Sequence, residues 1–155
     1  MKNNILKKII IYLFTFFWMA IIFYFSSQTA AVSTDTSNSF TALLLRAIGI
    51  TPTVELIEGL RSIIRTLAHF GIFGILGVHY YLSCAVSNRV KHLFIVSLLL
   101  SLAYAIIDEL HQLFSDGRAF QFFDVVIDFA GAAVFISLFM ALIFACKKRK
   151  EKKNK

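Results

Sequence analysis

Charge is what this chain has least of. Asp, Glu, Lys and Arg together make up 16% of its 155 residues, against 58% hydrophobic residues. A water-soluble domain of this length needs more polar surface to cover its core, so an ordinary soluble globule is excluded. Acidic charge is the scarcer kind: nine Asp and Glu stand against sixteen Lys and Arg, for a net charge of +7. Cysteine is nearly absent, with only Cys84 and Cys146. Both fall at the inner ends of apolar runs in the topology derived below, facing a reducing compartment. No disulfide is expected, and the two thiols read as small packing residues. Repeats are missing, and low complexity is confined to the C-terminal basic tail. Missing too are a His-Glu-x-x-His metal motif and any nucleophile elbow around Ser26, Ser27 or Ser115.

What the chain does have is long apolar runs. Ile9 to Phe25 holds 17 residues without a charge, and Ile63 to Ser87 is interrupted only by Arg65 and two histidines. Leu93 to Ile107 and Val125 to Cys146 follow, the latter broken only by Asp128. Crossing a bilayer core takes about 20 apolar residues, with about 17 as the lower end. Such spans must be helical, because lipid-exposed backbone has to satisfy its own hydrogen bonds. The runs predict an all-α integral membrane protein, a bundle of four transmembrane helices at about 8–26, 62–84, 92–112 and 124–146. Residues 1–7 form a basic N-terminus, 8–146 the transmembrane domain and 147–155 a basic tail. Lys2, Lys7 and Lys8 before an apolar run also suit a signal peptide, but the run exceeds the usual h-region and Thr29-Ala-Ala31 is a poor cleavage site. The first helix is therefore expected to be retained.

The basic residues orient the bundle. With both termini cytoplasmic, Lys2, Lys7, Lys8, Arg89, Lys91 and the seven basic residues after Cys146 lie inside, twelve of the sixteen. Arg46, Arg61, Arg65 and Arg118 lie outside with every acid but Glu151. The positive-inside rule then predicts N-in and C-in. The tail is suited to anionic lipid headgroups, so the lipid bilayer is the expected partner. A nucleic-acid partner is set aside, since nothing else on the inner face resembles a binding module.

The first external connection, Ser27 to Arg61, is long. It is polar from Ser33 to Ser39, helix-like from Phe40 to Ile48, and has Gly49 placed as a C-terminal stop. Thr51 and Pro52 read as an N-cap and first helical residue. Val54, Leu56, Ile57 and Leu60 beside Glu55 and Glu58 predict a short amphipathic helix on the outer membrane surface.

In this topology the polar residues of the spans segregate by depth. Ser26, Ser27 and Gln28 end the first span, Arg65 and His69 begin the second, Asp108, Glu109 and Gln112 end the third, and Asp124 and Asp128 begin the fourth. All lie in the outer half; His79 is the exception. Arg65 and His69, Asp108 and Gln112, and Asp124 and Asp128 are each spaced to share a helix face. Asp108 and Glu109 lie about 100° apart on theirs; one is expected to face a cavity while the other meets Arg65 or Arg118. Carboxylates here are costly, roughly 2.5 to 3.5 kcal/mol each even on lenient insertion scales, so they need partners, a wet cavity or a role. The cluster reads in several ways: an ion-pair network fixing the bundle, an acid–base site using Glu109, Asp108 or His69, or a pocket for a polar or phosphorylated headgroup. The binding set would be Ser27, Gln28, Arg65, His69, Asp108, Glu109, Gln112, Arg118, Asp124 and Asp128. His69 and the acids offer metal ligands in principle, but with no metal motif none is assigned, and no cofactor is required. A small ion-coupled transporter is a further alternative, though the inner half offers no continuous polar path. Elsewhere, Gly71, Gly74 and Gly77 give a smooth packing face, as does Ala130-Gly131-Ala-Ala133. His79, Tyr80 and Tyr81 read as packing or interface residues.

Three blocks resemble the VanZ-like family of small bacterial membrane proteins. They are Phe25-Ser-Ser-Gln28; Ile64-Arg-Thr-Leu-Ala-His-Phe70 with Leu76-Gly77; and Asp108-Glu-Leu-His-Gln-Leu-Phe114, Gly117-Arg118 and Asp124-Val-Val-Ile-Asp-Phe-Ala-Gly131. Together they touch all four spans in order. The chain departs from the family pattern at Thr66, where relatives often carry Lys, at Ile72, where an acid is common, and at Ser115-Asp116, in place of an apolar-Pro pair. The resemblance implies a four-helix membrane protein of the cell envelope, in a family whose named member is associated with low-level resistance to glycopeptides, teicoplanin in particular. Such antibiotics act on cell-wall precursors at the outer face. An outer-leaflet pocket for an envelope lipid or lipid-linked wall precursor would fit that association.

Overall fold

The computed structural model describes residues 2–87 and 89–153. Among them there are five helices and no strands: α1 (Lys2–Ser26), α2 (Ala30–Ala47), α3 (Val54–Ser87), α4 (Leu93–Gln112) and α5 (Phe122–Lys153). Four of these, all but α2, are long and apolar enough to cross a membrane. Their outward surfaces argue the same way. Phe16 is 71% exposed and Leu142 65%, and similar apolar side chains run the length of α1 and α5. Apolar area of this extent suits lipid, not water.

Three expectations need correction. Ser33–Ser39 is not an irregular loop but part of α2, which runs unbroken to Ala47. Its serines and threonines resolve their usual competition with the helix by donating back to it: Thr36, Ser37 and Thr41 each bond the carbonyl four residues earlier, at 2.9, 2.9 and 2.7 Å. Next, Val54–Leu60 is not a separate surface helix. It is the first two turns of α3, a single helix of 34 residues, about 50 Å long. The hydrocarbon core is about 30 Å thick, so α3 either projects well beyond it or tilts strongly. Finally, the helix starts two residues later than Thr51-Pro52 suggests. Thr53 is the capping residue, its hydroxyl accepting from Leu56 N at 3.4 Å and its carbonyl from Ile57 N at 3.0 Å. Gly49 does stop α2: with φ of +80°, it allows Gly49 N to bond Arg46 O at 3.0 Å and Ile50 N to bond Leu45 O at 2.9 Å.

The helices at the two ends also outrun the apolar segments. α1 begins at Lys2 and α5 continues through the basic tail to Lys153. Lys and Arg are good helix formers, and cations favour a helix C-terminus, so nothing in the tail ends α5 early.

α3 and α5 make the closest pair. A Cβ on Gly74 would sit 2.6 Å from the Phe135 ring, one on Gly77 2.9 Å from Ala132 Cβ, and one on Gly131 would collide with the Phe70 carbonyl. Gly71 has open space and takes no part, so the small-residue face is Gly74, Gly77 and Gly131. α1 is tied on by hydrogen bonds from Trp18 Nε1 to Ile72 O at 3.0 Å and from Tyr104 Oη to Met19 O at 2.7 Å. Thr15 and Ser83 hydroxyls meet at 2.9 Å. Within these ties sits a core of Ile22, Phe73, Leu76, Ala105 and Val125, with Tyr80 packed against it. His79 faces Trp18, and Tyr81 meets Phe139 edge-on. Cys84 is buried and Cys146 exposed, both free.

Candidate functional site

The polar residues gather at the end of the bundle where α1 and α4 finish and α5 begins. α3 brings Arg65 and His69 to this level, one turn apart on the same face, and α5 brings Asp124 and Asp128 in the same spacing. The two pairs meet in order. Arg65 Nη2 lies 3.7 Å from Asp124 Oδ2, and His69 Nδ1 lies 3.3 Å from Asp128 Oδ1. The first contact is loose and partly exposed. The second is deep: the Asp128 side chain is fully buried, and neither of its oxygens has a well-aligned hydrogen bond. The Gly131 contact with Phe70 explains why they approach, since it draws α5 onto α3 within one turn of both residues.

α4 supplies the other half. Gln112 Nε2 donates to Asp108 Oδ2 at 3.1 Å and to Glu109 Oε1 at 2.8 Å, so one amide holds two acids. Glu109 Oε2 accepts from Gln121 N at 2.8 Å, which fixes the start of α5 against the end of α4. Glu109 is fully buried and meets neither Arg65 nor Arg118; its partners are the amide and the backbone. His111, between them, stacks on Phe23 at 4.1 Å.

The connector from α4 to α5 closes the site. Gly117 has φ of +73°, the left-handed turn that sends Arg118 back over α1. Arg118 Nη1 reaches the carbonyls of Phe25 and Ser26 only at 3.5 Å, and no acid among the described residues pairs with it. Burial first, then the neighbouring Arg65 cation, lower the Arg118 pKa from its ordinary value. Ser115 donates to Ser26 O at 3.4 Å, and Asp116 O accepts from Ala30 N at 3.0 Å, pinning the first turn of α2. A Cβ on Gly117 would also press on Ala30 Cβ at 3.2 Å. Gly117→Ala is expected to cost about 1–2 kcal/mol through the left-handed backbone alone, measurable as a lower melting temperature in detergent.

These elements enclose a cavity of about 300 Å³. Arg65, His69, Asp108, Gln112, Arg118, Ser26 and Gln28 line it, against apolar walls that include Ile22, Phe25, Phe40, Ile64, Ile72 and Phe73. Ser27, Glu109, Asp124 and Asp128 do not. Ser27 is exposed and bonds Tyr24 O within its own helix at 2.8 Å, while the three acids stand behind the lining residues. Sequence reasoning missed one whole wall: Ser33, Thr36, Ser37 and Phe40 of α2. Their spacing was the available signal, since such positions form one helix face. Among the described residues, no three His, Cys, Asp or Glu side chains converge as a metal centre requires.

The arrangement is that of a half-open amphipathic pocket, in which polar and charged side chains share the lining with hydrocarbon-like walls. A family model described as VanZ/LLP1 matches residues 10–144, a stretch that includes all of these lining residues. No curated protein and no solved structure matches the chain. By that match and its four apolar helices, this chain belongs to the VanZ/LLP1 family and is a multi-pass membrane protein.

Proposed function

We propose that the cavity binds or modifies an envelope lipid or a lipid-linked cell-wall precursor in the outer half of a bacterial cytoplasmic membrane. The observation that carries this reading is the lining itself, where Arg65, His69, Asp108, Gln112 and Arg118 share one space with a predominantly apolar wall. At about 300 Å³ the cavity is at the lower end of ligand pockets. It suits a headgroup and the first carbons of a chain, with the rest of the chain in the bilayer. N-in and C-in topology, supported by the basic tail and the Arg89–Lys91 connection, puts this end of the bundle outside. A contribution to teicoplanin-type resistance, through altered access to a wall precursor, belongs to the same proposal.

The test is a lipid and wall-precursor profile of a deletion strain, complemented with the wild-type chain or with Asp108→Asn. Wild type restores the profile, and Asp108→Asn does not, while its abundance in the membrane stays within about twofold of wild type. Full restoration by Asp108→Asn would remove the pocket from the function. A second reading, in which the polar network only holds the helices together, is favoured at one position. Glu109 is fully buried, faces no cavity and has both oxygens occupied.

A further inference from the structure

The charges lining the cavity do not cancel among themselves. Arg65 is answered by Asp124, and His69 by Asp128, both from behind the lining. That leaves Arg118, whose guanidinium has only two long contacts with backbone carbonyls, and Asp108, which commits Oδ2 to the Gln112 amide. One guanidinium and one carboxyl group therefore face the same space without pairing with each other. In a low-dielectric site two opposite charges attract strongly unless something holds them apart. Here the backbone does so: Gly117 and the bonds of Ser115 and Asp116 fix the Arg118 loop over α1, while Asp108 is set by α4 and Gln112.

Resting on the headgroup-pocket reading above, we propose that the ligand is a zwitterionic phospholipid, its phosphate on Arg118 and Arg65 and a primary ammonium on Asp108. Guanidinium forks match phosphate oxygens, and Arg65, loosely held at 3.7 Å from Asp124, has donors to spare. A carboxylate with one oxygen committed to an amide is a site for an ammonium donor and rejects a second phosphate-like anion. Burial and then Arg65 disfavour the charged form of Arg118, which an anion between the two would relieve. The hydroxyls of Thr36 and Ser37 donate to their own helix, leaving oxygen lone pairs towards the cavity as further acceptors for N–H groups. The apolar walls take the start of the chain.

The experiment is binding by the purified full-length protein in detergent, read by native mass spectrometry with three short-chain lipids of equal chain length. These are phosphatidylethanolamine, phosphatidylglycerol and phosphatidylcholine, with free phosphoethanolamine as the soluble arm. Phosphatidylethanolamine is expected to bind about tenfold more tightly than either other lipid, and free phosphoethanolamine at least tenfold more weakly than the lipid. Asp108→Asn erases the preference over phosphatidylglycerol, and Arg118→Gln weakens all three lipids. Melting temperatures of both variants near that of wild type separate these effects from unfolding. Phosphatidylglycerol binding as well as phosphatidylethanolamine in the wild type, or a preference that survives Asp108→Asn, overturns the zwitterion assignment alone. Free phosphoethanolamine matching the lipid overturns its lipid part. Binding of none of the three lipids overturns the headgroup pocket with it.

Discussion

Gly131→Ala should be among the most damaging single substitutions in this chain, lowering stability by about 3 kcal/mol or more. Overpacking a tight core usually costs about 1–3 kcal/mol, because neighbouring side chains move aside. Here the added methyl meets the Phe70 carbonyl, a backbone atom of α3, so the helices themselves must separate. Separation would also pull Asp128 from His69, which approach through the same contact. The control is Gly71→Ala, two residues from His69. Its Cβ meets nothing, and replacing a helical Gly by Ala gains up to about 1 kcal/mol in water. Thermal unfolding of both variants in one detergent decides the matter. Equal melting temperatures would mean that the α3–α5 contact is not the constraint described.

The second large effect is expected at Glu109. Glu109→Ala removes the acceptor of two hydrogen bonds, leaving the Gln121 N–H without its partner and half of the Gln112 amide's work undone. Hydrogen bonds to a charged group contribute about 1.5–3 kcal/mol each, so the loss should be about 3–6 kcal/mol. Glu109→Gln should cost less. Gln112 Oε1 has no partner in the native arrangement, so its amide can turn over to accept from the new side chain while Gln121 N keeps an oxygen. That turn takes the amide away from Asp108, which makes Glu109→Gln a milder structural change with a consequence at the cavity. Membrane abundance and function should therefore fall together for Glu109→Ala. A Glu109→Ala protein as abundant and as stable as wild type would contradict the bracing role.

Much of this was legible in the sequence because of hydrocarbon and spacing. The four spans follow from apolar length. The shared faces of Arg65 with His69 and of Asp124 with Asp128 follow from helical period, and so does the bond between Gln112 and Asp108. Which acid would meet which base did not follow. Asp108 and Glu109 lie on different faces, and only the angle at which α4 crosses the others sends the first to the cavity and the second to the Gln121 amide. α2 was hidden for another reason. Ser33, Thr36 and Ser37 favour turns as much as helices, and their back-bonding to α2 is a choice made by packing and by the Ala30 anchor, not by propensity. The run Val54 to Leu60 looked like a separate amphipathic piece because its acids stand among apolar residues. The absence of a stop before Arg61 is what lets α3 run through.

The length of α3 bears on where a lipid would have to go. Counting back from Ser87 by the roughly 20 residues that fill a hydrocarbon layer arrives at about Ala68, between Arg65 and His69. If Ser87 marks the inner boundary and α3 stands upright, the proposed lipid pocket falls at the seam between acyl chains and headgroups, where an occupant would slide in sideways without leaving its leaflet. Hydrophobic mismatch then becomes a control variable. A bilayer a few ångström thicker would bring acyl chains up around Arg118, and a thinner one would strand the cavity among water and headgroups. Occupancy should peak at one membrane thickness and decline on either side.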